Sequence, residues 1–145
     1  MPSETVKLDP RIGAKLTVAL ALPGAIAAGP DLGKPAWAKF DALVDTGSNT
    51  SCVATAIAHR VGLTVAGITT MMSGNQTTDV NNYQSDVIVP LGLSINFLPS
   101  QLYPGLRLTE LRGEMDADIL LGLDVLQNLT IHFDGPSRQV TVSAT

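Results

Sequence analysis

The residues most able to do chemistry lie at 42–48, Ala42-Leu43-Val44-Asp45-Thr46-Gly47-Ser48. An apolar run ends there in a carboxylate, two hydroxyls and a glycine. Desolvating a carboxylate at the end of a buried strand is costly, so such a group usually has a specific task. General acid–base work is the chemistry it suits. Gly47 permits a tight turn and close backbone approach, and the hydroxyls of Thr46 and Ser48 can donate to the carboxylate. Asp, Thr, Gly, Ser and Asn are also ordinary turn formers. On these residues alone a catalytic Asp45 and a plain turn stay equally open.

Other chemistries find no footing. Gly24 and Gly29 have the spacing of a phosphate-cradling loop, but Pro30-Asp31 stands where Lys-Ser/Thr is needed. There is no G-x-S-x-G for a serine hydrolase. His59 and His132 are far apart and lack metal-ligand spacing. His59 reads as a helix C-terminal residue favoured by the dipole, and His132 as an outward residue of a hairpin strand. Glu114, Asp116 and Asp118 alternate as a cation site would, but a solvated strand edge accounts for them better. The single cysteine, Cys52, rules out an internal disulfide and reads as a small buried apolar residue. No metal and no cofactor is implied. A net charge of −4, with nine basic residues dispersed, gives no footprint for nucleic acid or an anionic membrane.

The elements that must position Asp45 are read from period-2 alternation. Leu16, Val18, Leu20 and Leu22 share one parity, which predicts a strand over 15–22 ending at Pro23-Gly24. Residues 23–36 are rich in proline and glycine and read as loop. A second strand over 37–45 delivers Asp45 to its turn. The alanine-rich stretch before Gly62 predicts a helix over 54–61 with Gly62 as its C-cap. Residues 63–72 are extended and reach Ser73-Gly74-Asn75-Gln76, a hairpin centre. The return arm is long, with Tyr83, Ser85, Val87, Val89, Leu91, Leu93, Ile95 and Phe97 on one parity. Loop follows over 99–113, with a strand at 106–111. Asp118–Leu126 is a buried strand entering a short helix, and Thr130–Asp134 and Gln139–Ser143 form a terminal hairpin. One mostly β domain with two short helices results, in a chain of 145 residues that is 45% apolar and 15% charged.

Two elements in this order carry a family resemblance. Val44-Asp45-Thr46-Gly47-Ser48, followed some seventy residues later by Ile119-Leu120-Leu121-Gly122-Leu123-Asp124-Val125-Leu126, resembles the retropepsin-like, single-lobe aspartic proteases. That family places D-T/S-G-A/S at the end of an inner strand. A hydrophobic pair and glycine then lead into a helix, often as I-L-G-x-D-x-L. The helix ending at Gly62-Leu63, the hairpin and the long strand between them keep the family's order. The likeness covers about 40–145. Residues 1–36 are longer than the compact viral members need and are taken as an N-terminal extension with a first strand and loop; the protease-like domain is 37–145.

The resemblance implies a closed acid-protease barrel with one lobe per chain. It assigns Asp45 as catalytic, with Thr46, Gly47 and Ser48 supporting its loop. The Thr46 hydroxyl would brace the two catalytic loops across a dimer axis. Ser48, where viral members carry alanine, would donate to the outer carboxylate oxygen. Leu120, Leu121 and Gly122 would close the bottom of the site, the glycine letting backbones approach. Met71, Met72, Ser73, Gly74, Asn75 and Gln76 fall in the flap, about 71–83, which would cover a peptide substrate. Family flaps are richer in glycine than this one.

The chemistry needs two carboxylates sharing one proton, because like charges about 3 Å apart cannot both ionise. The chain carries one D-T-G, and Asp134-Gly135 lacks the hydroxyl residue. A homodimer would supply the second Asp45 by two-fold symmetry. The expected activity is aspartic endopeptidase action on peptides or proteins. The alternatives are a silent protein-binding or dimerisation module on the same fold, and one lobe of a two-lobed enzyme. The lone cysteine fits a cytoplasmic setting. Residues 16–29 resemble a signal peptide's apolar run, so a secreted or periplasmic one stays open, although Glu4, Asp9 and Pro23-Gly24 break that pattern.

Overall fold

The computed structural model describes residues 1–92, 96–113 and 116–145. Its elements in chain order begin with β1 (Ser3–Asp9), β2 (Gly13–Ala21), β3 (Ala38–Val44) and β4 (Cys52–Ala54), then α1 (Thr55–Val61). β5 (Val65–Ser73) and β6 (Gln76–Ile88) form a long hairpin, and a 3-10 turn at Pro99–Gln101 leads into β7 (Leu102–Leu111). β8 (Ile119–Leu121), α2 (Leu123–Leu126), β9 (Thr130–Asp134) and β10 (Gln139–Ser143) complete it.

Six strands pair into a closed ring. β2 pairs with β3 and with β6; β3 runs parallel to β8; β8 is antiparallel to β4; β4 runs parallel to β7; and β7 returns to β6. This matches the expected barrel-like, mostly β architecture with two short helices. Outside the ring, β1 pairs with β2 and β10, and β9 is the far edge beyond β10.

The alternation read from the sequence becomes the ring's interior. Leu16, Val18 and Leu20 of β2 meet Phe40 and Ala42 of β3, Tyr83 and Val87 of β6, and Ile119 and Leu121 of β8 in one buried cluster. The first part of the apolar run at 16–29, as far as Ala21, is thus a core strand, and the rest is loop. Among the described residues no helix is long and apolar enough to cross a membrane.

α1 ends where its composition says. Gly62 adopts φ 84°, and its N–H donates to the carbonyls of Ala58 and His59. The β5–β6 hairpin also falls where expected: Ser73 pairs with Gln76, leaving Gly74-Asn75 as a two-residue turn with Gly74 at φ 61°.

One strand is added to those expected, and two expectations change. Residues 3–9 are a strand, held at the chain's start by partners at its end, Val6 opposite Val140 and Glu4 opposite Val142. The strand expected at 106–111 begins at Leu102, because Pro104 and Gly105 hide the pattern while β6 supplies the ladder along Leu102–Thr109. The single-parity run from Tyr83 toward Phe97 stops as a strand at Ile88. Proline cannot donate to a ladder, and after Pro90 Leu91 takes φ 43°. Leu93 and Ile95 of that run, and Glu114 of the acidic triplet, lie outside the described residues.

Candidate active site

β3 carries Asp45 to the rim of the ring. The parallel β3–β8 ladder sets Val44 opposite Leu121, and the Asp45 amide donates to the Leu121 carbonyl at 3.0 Å. The chain then turns, with the Ser48 amide donating to the Asp45 carbonyl at 3.3 Å. The Asp45 side chain is half-buried. Its Oδ1 accepts from the Gly47 amide at 2.9 Å. Among the described residues no donor reaches Oδ2. Thr46 and Gly47 are exposed beside it.

Ser48 departs from expectation. Its hydroxyl donates to the Thr50 carbonyl at 2.7 Å and not to the Asp45 carboxylate. The reason is local: the turn carries the chain back toward β4, and the Thr50 carbonyl is the acceptor that this turn brings to Ser48.

Leu120, Leu121 and Gly122 lie against this loop. Leu121 is fully buried and Leu120 partly so. Gly122 is extended, at φ −96° and ψ −173°, so its role is spatial and not conformational. A Cβ there would stand 2.6 Å from the Thr50 carbonyl carbon and oxygen, and 2.8 Å from the Ser48 oxygen. Immediately after it, the Leu123 amide donates to Ser48 O at 2.8 Å and the Asp124 amide to Asn49 O at 3.2 Å. The Asp45 loop and the start of α2 are therefore stitched backbone to backbone.

Two further residues complete the stitch. Ser51 is fully buried; its amide and hydroxyl donate to the two oxygens of Asp124, at 3.0 and 2.7 Å. The Ser51 Oγ in turn accepts from the Gly122 amide at 3.0 Å. Asp124 was visible as the acid of I-L-G-x-D-x-L, but no pattern marked Ser51 as its partner. Cys52, next along β4, is buried as expected. Burial, and then the Asp124 and Asp45 carboxylates, push its thiol up to about 11.

The remaining candidates lie elsewhere. Met71, Met72, Ser73, Gly74, Asn75 and Gln76 form the tip of the β5–β6 hairpin, with Met72 78% exposed. At the hairpin's root, buried Glu110 accepts from the Asn81 amide, Arg112 Nε and the Thr55 hydroxyl. Burial raises its pKa, but these three partners outweigh it and hold the carboxyl below its ordinary value. His59 is exposed near the α1 C-terminus, and His132 is exposed on β9. Asp118 accepts from the Asp41 amide. Among the described residues no cluster of His, Cys, Asp and Glu could hold a metal ion.

A family model described as "Aspartyl protease" matches residues 33–125, well over half of the chain, and spans both the Asp45 loop and the Gly122 element. The chain belongs to the aspartyl protease family. No curated protein sequence matches it. Among solved structures, a retropepsin-like aspartic protease from Rickettsia conorii aligns with a TM-score of 0.59. That alignment covers 98% of this chain and 90% of the other, at 11% identity, and so speaks for a retropepsin-like fold. The retroviral protease-like domain of Ddi1 from Leishmania major aligns with a TM-score of 0.44 at 18% identity, over 83% of this chain and 82% of that one.

Proposed function

We propose that this member of the aspartyl protease family is an endopeptidase whose active centre is completed by a second copy of the chain. The observation that carries the proposal is the Asp45 carboxylate, presented at the rim with Oδ1 tied to the Gly47 amide and Oδ2 without a donor among the described residues. The family's chemistry needs two such groups, and the chain contains one D-T-G.

In the dimer, a water held between the two Asp45 side chains gives a proton to the ionised carboxylate and attacks the scissile carbonyl. The protonated carboxyl donates to the carbonyl oxygen, and a proton passes to the leaving nitrogen as the C–N bond breaks. Exposed Thr46 and Leu123, the latter 39% accessible, would meet the partner's loop. The hairpin tip from Met71 to Gln76 would act as a flap, adding backbone hydrogen bonds to an extended peptide and excluding water.

The test pairs a protease assay with a measurement of assembly. Casein and a random-peptide library are incubated with the protein from pH 3 to 8, beside Asp45→Asn, and sedimentation gives the oligomeric state. The expected result is a dimer whose cleavage falls ~10³-fold or more in the variant. Its pH profile should carry an acid limb, because the dyad titrates as a coupled pair. A monomer, or cleavage untouched by Asp45→Asn, overturns the proposal. A dimer silent at every pH favours the binding module.

A further inference from the structure

The β5–β6 hairpin leaves the ring at a definite rung. β6 pairs with β7 as far as Asn82, opposite Thr109, and from Asn81 to Gln76 its partner among the described residues is β5 alone. β7 continues past that rung beside β4, with Glu110 opposite Val53 and Leu111 opposite Ala54. The arm beyond the rung is thinly packed. Val80 is buried, but Gln76–Asp79 are exposed, as are Ile68, Thr70 and Met72 on β5. Within the arm the Thr70 hydroxyl donates to Asp79 Oδ1 at 2.7 Å across the strand pair, which stiffens it as one piece. Its stance is therefore set at its root.

One side chain occupies that root. Continued by one step, the β6–β7 register would set Asn81 opposite Glu110. In place of that rung, the Asn81 amide donates to the Glu110 side chain, at Oε1 and 3.2 Å. The same oxygen accepts from Arg112 Nε at 2.9 Å, and Oε2 accepts from the Thr55 hydroxyl at 3.0 Å and the Tyr83 hydroxyl at 3.4 Å. Donors from α1, from β6 and from just past the end of β7 thus meet on one carboxylate, in a residue 2% exposed. On the sheet's other face the Thr109 hydroxyl donates to Asn82 Oδ1 at 3.4 Å and the Asn82 amide to the Thr69 hydroxyl, so the last shared rung is braced on both sides. At this level β5 carries its irregularity, between Val65 and Gly67, where a strand bends most readily. Burying a carboxylate is costly, and an apolar side chain would fill the space at lower cost. What the acid adds is two accepting oxygens, which no neutral side chain of that length offers.

We infer that Glu110 is a positioning residue for the proposed cleavage: it clasps the free β5–β6 arm to α1 and the ring where the arm departs, and so fixes how residues 71–76 stand over a bound peptide. The inference rests on reading that hairpin as a flap. Backbone bonds from a flap hold the ground and transition states of a peptide alike, so loosening the clasp raises KM and leaves kcat.

The test compares Glu110→Gln, which keeps the side chain's length but removes its charge and one acceptor, with Asp86→Ala in the full chain. Asp86 is a second buried carboxylate, bound to the Gly24, Ile26 and Gly105 amides away from the root, and serves as the control for lost stability alone. Amide hydrogen exchange at pH 7 reads the arm without any proteolysis. The protected amides of 68–80 should exchange about tenfold faster in Glu110→Gln and at the parental rate in Asp86→Ala. With a peptide that the parent cleaves, Glu110→Gln should raise KM about fivefold or more and keep kcat within about twofold, while Asp86→Ala leaves KM in place. Unchanged arm exchange, an unchanged KM, a fall in kcat alone, or equal effects from Asp86→Ala overturn the proposal. A parent that cleaves nothing overturns the protease reading instead, and arm exchange then decides the clasp by itself. Should Glu110→Gln fail to fold by circular dichroism, Thr55→Val and Arg112→Gln, which each remove one donor, decide it by the same measurements, with effects of about two- to threefold.

Discussion

Replacing Gly122 by alanine tests the link between the Asp45 loop and α2. The backbone at Gly122 is extended and open to any residue, so alanine carries no conformational penalty there. What it adds is a methyl 2.6 Å from the Thr50 carbonyl group and 2.8 Å from the Ser48 oxygen, all main-chain atoms that no rotamer change can move. Reaching ordinary contact at 3.4 Å requires the loop and the β8–α2 junction to separate by about 0.8 Å. That movement strains the Leu123–Ser48 and Asp124–Asn49 backbone bonds and the Ser51–Gly122 bond. Overpacking of this kind costs roughly 1–3 kcal/mol, and the three stretched hydrogen bonds, weakened and not lost, together add about 1 kcal/mol. The expected loss is therefore about 2–4 kcal/mol, read as a lower urea midpoint at unchanged slope. Gly135→Ala is the matched control, because its Cβ would meet only the Phe133 ring at 3.5 Å; it should stay within about 0.5 kcal/mol of the parent. Protease activity should fall more steeply than stability, since the displaced loop carries Asp45 and a misplacement of about 1 Å can cost ~100-fold. A Gly122→Ala protein within 0.5 kcal/mol of the parent, cleaving at the parental rate, would refute the claim that close backbone approach fixes the site.

Three further outcomes are expected. Glu110 has its pKa lowered by partners that exist only in the fold, so its stabilisation is present above its ordinary value of 4.5 and is lost as pH falls through the lower native value. Urea unfolding at pH 7 and pH 3 should show a smaller acid-induced loss in Glu110→Gln than in the parent; equal losses would assign the acid sensitivity elsewhere. Cys52, with its thiol pushed up to about 11, should resist iodoacetamide at pH 8 until urea unfolds the chain. Rapid labelling of the native protein would contradict the burial of β4. Asp86 is fully buried and accepts from the Gly24, Ile26 and Gly105 amides, so it ties the 22–37 loop to β6 and β7. Asp86→Ala should cost about 3 kcal/mol or more by leaving amides unpaired, with earlier proteolytic nicking of that loop; an unchanged urea midpoint would count against the anchor.

The sequence alone decided what depends on local periodicity and turn chemistry. Alternation placed β2, β3 and the β9–β10 hairpin, the alanine-rich run and Gly62 placed α1, and Gly74 placed the hairpin turn. Asp45-Thr46-Gly47 and Ile119–Leu126, taken in order, pointed to the aspartyl protease family because both elements obey short-range rules. What only the tertiary structure decided involves partners distant in the chain. β1 is a strand because β10 and β2 flank it, and β7 runs on past Pro104 because β6 offers a ladder. Ser51 is tied to Asp124 across 73 residues, and Ser48 donates to Thr50 and not to Asp45, because hydroxyls take the acceptor that the fold brings nearest. The clasp at Glu110 is likewise invisible in one dimension. Its donors come from α1, β6 and the end of β7, and only the fold brings Thr55 and Asn81 to its carboxylate.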